Sequence, residues 1–401
     1  MTGPTTSRPL APVDLDPAWV RGAVEVERTP EALAPHRIPA WAVPRIPDLF
    51  MAETVRESAG VRLAVRTAAD VVEIDYDGMR MAEDERVALA PGVWDVTEEG
   101  ALVAQASAPP GTRYLFSFER PTTARVAPGP PSTVRFAGLG QGSERELEIW
   151  LPFTDGVRIL AVRADAPVRA AGPSSGLRWV HHGSSISHGY AAASTTGTWP
   201  VLAALRAGVD LTSVAYSGNA MLDQFVARII GDLDADLISV KVGINLVNGD
   251  VMRVRGFRPA LHGFVDTIRD RHPDTPIVLA SPIFCEPVEH AAGPTIDDPT
   301  KDYGWCVAGG TAQDVAAGKL SLAVVREEIA AIVDQRGTDD PNLTYVDGLG
   351  LYGPDDARAH TLPDNLHPGP DVQRMIGERW ADTVLARFAS RFTERTTVGS
   401  A

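Results

Sequence analysis

Leu177-Arg-Trp-Val-His-His-Gly-Ser-Ser-Ile-Ser-His-Gly189 is a short apolar stretch that breaks into three serines held between two glycines. Its first half, Leu177 to His182, reads as a strand, and the chain beyond it repeats the theme. Trp199 to Ala207 has helical periodicity and Leu211 to Tyr216 is a strand. Met221 to Gly231 is helical and Asp236 to Val242 is an apolar strand. Pro259 to Arg271 is a helix and Pro276 to Ser281 a strand. Ser321 to Gln335 is a long amphipathic helix, Leu343 to Val346 a short strand and Val372 to Ala389 a closing helix. Strands alternating with helices specify a parallel sheet with helices on both faces. In such sheets ligands bind beyond the carboxyl ends of the strands, so those ends are where chemistry is sought.

Upstream the pattern is different. Val61 to Thr67 and Val72 to Tyr76 alternate apolar and polar residues. Ala101 to Ala106, Thr112 to Phe118, Thr133 to Phe136, Glu146 to Pro152 and Arg158 to Arg163 are further strand candidates. Turn signals such as Pro109-Gly111 and Pro128-Pro131 separate them. Many short strands with frequent turns specify a β-sandwich. The expected organisation is an extended or irregular lead-in over 1–45, a sandwich over 46–170, an α/β domain over 177–390 and a tail over 391–401. The Ala-, Pro-, Ser- and Gly-rich stretch from Ala164 to Gly176 is the candidate linker. A chain of 401 residues is long enough for two cores.

The strand ends carry a set of polar groups. The first ends in Gly183-Ser184-Ser185-Ile186-Ser187-His188-Gly189. By itself a serine-rich turn only caps a helix. It is not the Gly-x-Ser-x-Gly elbow, because Ser187 stands at the fifth position. The second strand ends in Tyr216-Ser217-Gly218-Asn219 and the third in Gly243-Ile244-Asn245. Just before the closing helix comes Asp364-Asn365-Leu366-His367-Pro368-Gly369. Acyl transfer needs this combination: a hydroxyl nucleophile, a base for its proton, a carboxylate to orient the base, and donors for the developing oxyanion.

In this order, these residues resemble the four blocks of the SGNH (GDSL-like) hydrolases. The family's first block reads Gly-Asp-Ser, and here it is Gly183-Ser184-Ser185, with Ser184 in place of Asp. Gly218 matches the second block. Gly243-Ile244-Asn245 matches the third, with Leu246 where Asp is usual, and Asp364 with His367 matches the fourth without departure. The resemblance spans about Leu177 to Phe388. It implies a three-layer, flavodoxin-like α/β domain with Ser185 as nucleophile, His367 as base and Asp364 as its orienting carboxylate. It also implies an oxyanion hole from the N–H groups of Ser185 and Gly218 and the amide of Asn245. No cofactor and no metal are implied. The N-terminal sandwich looks like the jelly-roll module that precedes the catalytic domain in some carbohydrate esterases.

Other polar and aromatic residues have plainer readings. His181 and His182 are adjacent on a strand, point to opposite faces and do not chelate one metal. His188 is assigned to packing or substrate contact. Trp305 is a candidate for the pocket wall, and Trp199 belongs in the core. Gly138 to Gly142 is a sandwich loop, too short for a dinucleotide fingerprint. Asp297, Asp298 and Asp302 lie in the long segment from Cys285 to Gly310, read either as a substrate loop or as a solvated acidic loop. Cys285 and Cys306 flank that segment and are expected to approach each other. If oxidised, a bridge over ~20 residues is worth about 3 kcal/mol in the chain-entropy model.

A net charge of −15 argues against nucleic acid or an anionic membrane as partner. The N-terminus lacks the apolar core of a secretory signal, so the expected location is cytoplasmic. The expected activity is a serine esterase acting on a small ester, with an acylated sugar as one candidate. Preference for acetyl to butyryl groups is expected, because the loops after the strands, Asn245 to Asp250 and Thr295 to Asp302, are short or mostly polar and offer no amphipathic lid. An acyltransferase or thioesterase would use the same residues with another acceptor or leaving group. A non-catalytic carbohydrate-binding protein is the rival of another class, against which the intact Ser185, Asn245, Asp364 and His367 argue. The sequence leaves the oligomeric state open.

Overall fold

A computed structural model describes residues 9–86, 88–140, 142–174, 176–301 and 304–388. The expected tail over 391–401 and Asp302 lie outside the described residues. The chain divides into two compact units, one running to Ser174 and including Ser194–Thr196, the other formed by the remainder.

The first unit holds two sheets. In one, Val71–Ala82 is flanked by antiparallel Gly156–Ala164 and Ser132–Ala137 and by parallel Thr112–Phe116. In the other, Arg145–Trp150 lies between Arg62–Thr67 and Gly92–Glu98, which pairs onward with Ala101–Ala108. One apolar core takes Ile74, Val134 and Ile159 from the first sheet and Leu63, Val96 and Ile149 from the second. Alternation along each strand supplies these inward residues.

Two expectations fail here. Of the expected lead-in, residues 1–8 lie outside the described residues and 9–45 are not irregular: Ala11–Val13, Val20–Arg21, Glu25–Arg28 and Leu33–His36 are strands of the two sheets. Trp19 and Leu33 reach the core. Pro12 and Pro35 hid these strands, since proline is tolerated only where a ladder bond is dispensable. The candidate linker likewise contains a strand, Val168–Ala170, paired with Arg62–Thr67. Gly92–Glu98 escaped the sequence reading because Asp95 breaks its apolar pattern. That carboxylate is fully buried and accepts from Gln105 Nε2 at 2.7 Å and from the N–H and hydroxyl of Thr196 at 2.8 Å each.

The second unit is the expected three-layer α/β domain. Five parallel strands, β1 (Arg178–Gly183), β2 (Asp210–Ser213), β3 (Leu237–Lys241), β4 (Ile277–Ala280) and β5 (Leu343–Val346), stand in the order β2-β1-β3-β4-β5. Every residue of β3 and β4 is buried, as a sheet covered on both faces requires. Trp179 and His181 pack against Trp199 and Trp380, while His182 stacks on Phe264 on the other face. α1 (Ser185–His188) follows β1 directly. α2 (Trp199–Ala207), α3 (Gln224–Asp232), α4 (Ile244–Asn248), α5 (Val254–Arg269), α6 (Leu322–Arg336) and α7 (Pro370–Trp380) complete the described frame. α5 begins five residues before Pro259 and carries that proline at the cost of one backbone bond. α7 continues through one π-helical turn, Ala381–Leu385. The strand order changes direction between β1 and β3, which puts the switch point of the sheet beyond their carboxyl ends. Among the described residues no helix is long and apolar enough to cross a membrane.

Candidate active site

β1 delivers the chain to the switch point and the sequence turns it sharply there. A Cβ on Gly183 would fall 2.3 Å from Ser187 Oγ, so only glycine fits this corner. Ser184 caps α1 by accepting the Ile186 N–H at 3.3 Å. Serine and aspartate are about equal as caps, so Ser184 preserves the turn that the family builds with Asp. Ser185 is the first helical residue, and Gly189, at φ 114°, closes the helix after four.

His367 reaches the same point from the loop before α7. Its Nε2 lies 2.8 Å from Ser185 Oγ, and its Nδ1 lies 2.6 Å from Asp364 Oδ2. Asp364 Oδ1 accepts the N–H groups of Leu366 at 3.0 Å and His367 at 2.6 Å. These bonds fold Asp364–His367 into a tight turn with Asn365 at φ 65°, a conformation asparagine tolerates. The turn is tied down from outside. The Cys306 N–H donates to Asp364 O at 2.9 Å, and Asn365 Nδ2 donates to Cys306 O at 2.8 Å. Burial would raise the Asp364 carboxyl. The hydrogen bond and charge of His367, with the two N–H donors, outweigh it and hold the group below the usual carboxylate range.

The structure brings the second and third blocks to the same rim. Gly218, at φ 71°, follows β2, and Gly243, at φ 125°, caps α4. A Cβ on Gly243 would lie 2.5 Å from Val325 Cγ1, so that glycine is required by space as well as by backbone. Asn245 is buried, and its Oδ1 accepts the Ala220 N–H at 3.0 Å. Since that donor is a backbone N–H, the amide orientation is fixed and Nδ2 is left as the donating end. Leu246, where the family carries Asp, is fully buried in the core.

The remaining candidates take other places. His188 is 2 % exposed, and its Nδ1 accepts the Ser217 N–H at 3.3 Å, next to Gly218. It packs against the turn before Gly218 and steadies it. Trp305 is half-buried beside Cys306, and its carbonyl accepts the Asp298 N–H at 2.8 Å. The acidic segment forms a small hairpin, Thr295–Asp297 against Cys306–Ala308, with Asp297 at its edge. His181 and His182 are buried on opposite faces, with Nδ1 atoms on Ser239 Oγ at 2.7 Å and Val214 O at 2.8 Å. Burial pushes His182 down to about 4 and His181 well below its usual range, so both stay neutral. Cys285 and Cys306 are free thiols, not a bridge. Burial raises them to about 12 and about 11, which suppresses the thiolates that oxidation needs. Among the described residues no group of three or more His, Cys, Asp or Glu is placed to hold a metal ion.

One neighbour of the triad was not singled out from the sequence. The ring of Tyr190 lies 4.3 Å, centroid to centroid, from the His367 imidazole. A single aromatic residue in a turn has no periodicity to mark it.

Comparison with known proteins decides the family. Residues 182–375 match the family model of the GDSL-like lipase/acylhydrolases. These residues form a GDSL-like lipase/acylhydrolase domain. Among solved structures, the salicylyl-acyltransferase SsfX3 from a tetracycline biosynthetic pathway is similar at 27 % identity and TM-score 0.76, over 96 % of this chain and 98 % of that one. A family two carbohydrate esterase from Cellvibrio japonicus is similar at 13 % identity and TM-score 0.55, over 96 % and 99 %. The acetyl xylan esterase Est2A from the rumen bacterium Butyrivibrio proteoclasticus matches at 12 % identity and TM-score 0.53, with the same coverages. At such identities the two esterases share the fold, a β-rich unit before an SGNH domain. No match was found among curated protein sequences. The GDSL-like domain belongs to a family of hydrolases and acyl-transferring enzymes.

Proposed function

We propose that the protein is a serine esterase that works through an acyl-enzyme. The observation that carries this reading is the hydrogen-bonded chain Ser185 Oγ–His367 Nε2, His367 Nδ1–Asp364 Oδ2, at 2.8 and 2.6 Å. Ser185 Oγ attacks the ester carbonyl carbon while His367 takes the hydroxyl proton. Negative charge moves to the carbonyl oxygen, where the N–H groups of Ser185 and Gly218 and Nδ2 of Asn245 are the donors. The carbon–oxygen bond to the alcohol breaks, and His367 returns the proton to the departing oxygen. Water then repeats the cycle against the acyl-enzyme and releases the acid. Asp364 fixes the imidazole tautomer and stabilises the imidazolium, and does not itself take the proton.

The substrate proposed is a short-chain O-acyl ester of a hydroxylated small molecule in the cytoplasm. Carbohydrate esterases among the structural relatives favour a sugar as the alcohol. A second reading keeps every residue and replaces water with a second alcohol. The similarity to a salicylyl-acyltransferase over nearly both full chains favours that variant.

A panel of p-nitrophenyl esters from two to twelve carbons, with acetylated sugars, tests the reading against wild type and Ser185→Ala. Ser185-dependent turnover with a maximum at short chains is expected. A maximum at eight carbons or longer contradicts the short-acyl assignment, and turnover retained in Ser185→Ala contradicts the mechanism. Product analysis with an added alcohol separates hydrolysis from transfer.

A further inference from the structure

Tyr190 combines two properties that seldom coincide. Its backbone is fixed: the N–H donates to Ser185 O at 2.9 Å, and the C=O accepts from Gln373 Nε2 at 3.3 Å. Gln373 is itself fully buried, with Oε1 accepting the Trp199 N–H at 2.9 Å. Yet the residue is 53 % exposed, although its ring rests against the imidazole of His367 at 4.3 Å and 47°. A tyrosine whose backbone is held in place is thus left half open beside the base.

The chemistry says what occupies that opening. His367 Nε2 gives its proton to the departing alcohol oxygen and takes one from the incoming nucleophile. Both oxygens therefore stand at the edge of the same imidazole against which the Tyr190 ring rests. We propose that the open face of Tyr190 is the alcohol subsite, which holds ring-shaped alcohols by contact with their flat face and decides whether the acyl group passes to an alcohol or to water. This rests on the acyl-enzyme reading above and adds the subsite. In the transfer step the acyl–oxygen bond to Ser185 breaks as the bond to the acceptor oxygen forms. The acceptor's proton passes to His367 and then to Ser185 Oγ. Water gains nothing from an aromatic face, whereas a pyranose or an arene stacks on it at little entropic cost because the ring is already in place.

The partition of one common acyl-enzyme tests this. The protein is charged with p-nitrophenyl acetate in the presence of ethanol, cyclohexylmethanol, benzyl alcohol or methyl glucopyranoside, and ester and acetate are quantified. The transfer-to-hydrolysis ratio does not depend on how fast the acyl-enzyme forms, so general damage by a mutation does not imitate the effect. Wild type should favour the ring alcohols over ethanol. Tyr190→Ala should lower that preference by roughly 2- to 10-fold, and Tyr190→Phe should keep it. The glucoside and the two hydrocarbon rings show which kind of flat face the subsite takes. An unchanged preference in Tyr190→Ala, or no transfer to any alcohol by wild type, overturns the subsite while leaving the esterase intact. Absence of Ser185-dependent p-nitrophenol release overturns both.

Discussion

Burial shifts different kinds of group in the sandwich and in the α/β unit, although each unit also buries the other sign, Arg37 and Arg62 in the first and Glu289 and Asp340 in the second. In the sandwich the groups that burial drives furthest toward the neutral form are acids. Glu53 is fully buried with neither carboxyl oxygen hydrogen-bonded, and burial together with the nearby charge of Glu57 pushes it up to about 8. Asp155, also fully buried, is raised to about 6 by burial despite its bond from Arg80. In the α/β unit burial also drives nitrogen bases toward the neutral form. Burial takes His182 down to about 4 and Lys241 down to about 8. In both units the apolar surroundings favour whichever form is neutral. Asp364 departs from this pattern. It too is desolvated, but an imidazole and two N–H groups converge on it, and its carboxyl is held low. Burial alone makes a structural acid, while donors arranged around a desolvated acid make one that stays ionised and can orient a base.

The largest expected effect comes from breaking that arrangement. His367→Ala should lower kcat by about 10⁴-fold or more, and Asp364→Asn should cost less, because the carboxylate orients the base and does not receive the proton. Steady-state kinetics on one activated ester check this, and a larger loss in Asp364→Asn than in His367→Ala would reverse the assigned roles. Asn245→Ala should lower kcat by roughly 10²–10³ with little change in KM, since its amide acts on charge that exists mainly in the transition state. A loss confined to KM would make Asn245 a substrate-binding residue instead.

The contrast between the units predicts opposite pH dependences of stability. Glu53 titrates near 4.5 when unfolded and near 8 when folded, so the stability it contributes is complete below about 4.5 and is lost as pH rises through about 8. Lys241 runs the other way. Its contribution is present above about 10.5 and is lost as pH falls through about 8. Hydrogen exchange resolved by unit should show protection of the sandwich falling between pH 5 and 8, and protection of the α/β unit rising between 8 and 9, above which the raised thiols of Cys285 and Cys306 oppose Lys241. Glu53→Gln should flatten the first trend by a few-fold in protection, and an equally steep trend in that variant would remove Glu53 as its source. The smallest effect concerns the thiols. Cys285 and Cys306 should react slowly in the native protein, and both should titrate after denaturation without reductant. Fewer than two free thiols would show a bridge that the structure does not contain.

The legibility of the sequence divides along the same line. In the α/β unit the strands are buried on both faces and read as apolar runs, such as Leu237 to Lys241, so the order of elements is plain. Ser185, Gly218, Asn245, Asp364 and His367 are legible because each sits where a strand or a loop meets the rim, in a fixed order. Helix starts are less so: Pro259 looks like a first-turn residue and lies in the second turn of α5. In the sandwich, strands that obey simple alternation are readable. Those with a proline, as in Leu33–His36, or a buried acid, as in Gly92–Glu98, are not, because the proline or the acid interrupts the apolar alternation even though each strand pairs with a near neighbour in sequence. Asp95 is satisfied by Gln105 and Thr196, and no local pattern announces that. Tyr190 is hidden for a related reason, since what marks it is a ring contact made across 177 residues of sequence, to His367.

The central claim is that Ser185 is the nucleophile, and covalent labelling tests it most directly. Wild type should take up one fluorophosphonate, and peptide mapping should place the adduct on Ser185. Ser184→Ala and Ser187→Ala should still label, and Ser185→Ala should not. An adduct on any other residue, or labelling that persists in Ser185→Ala, would contradict the account.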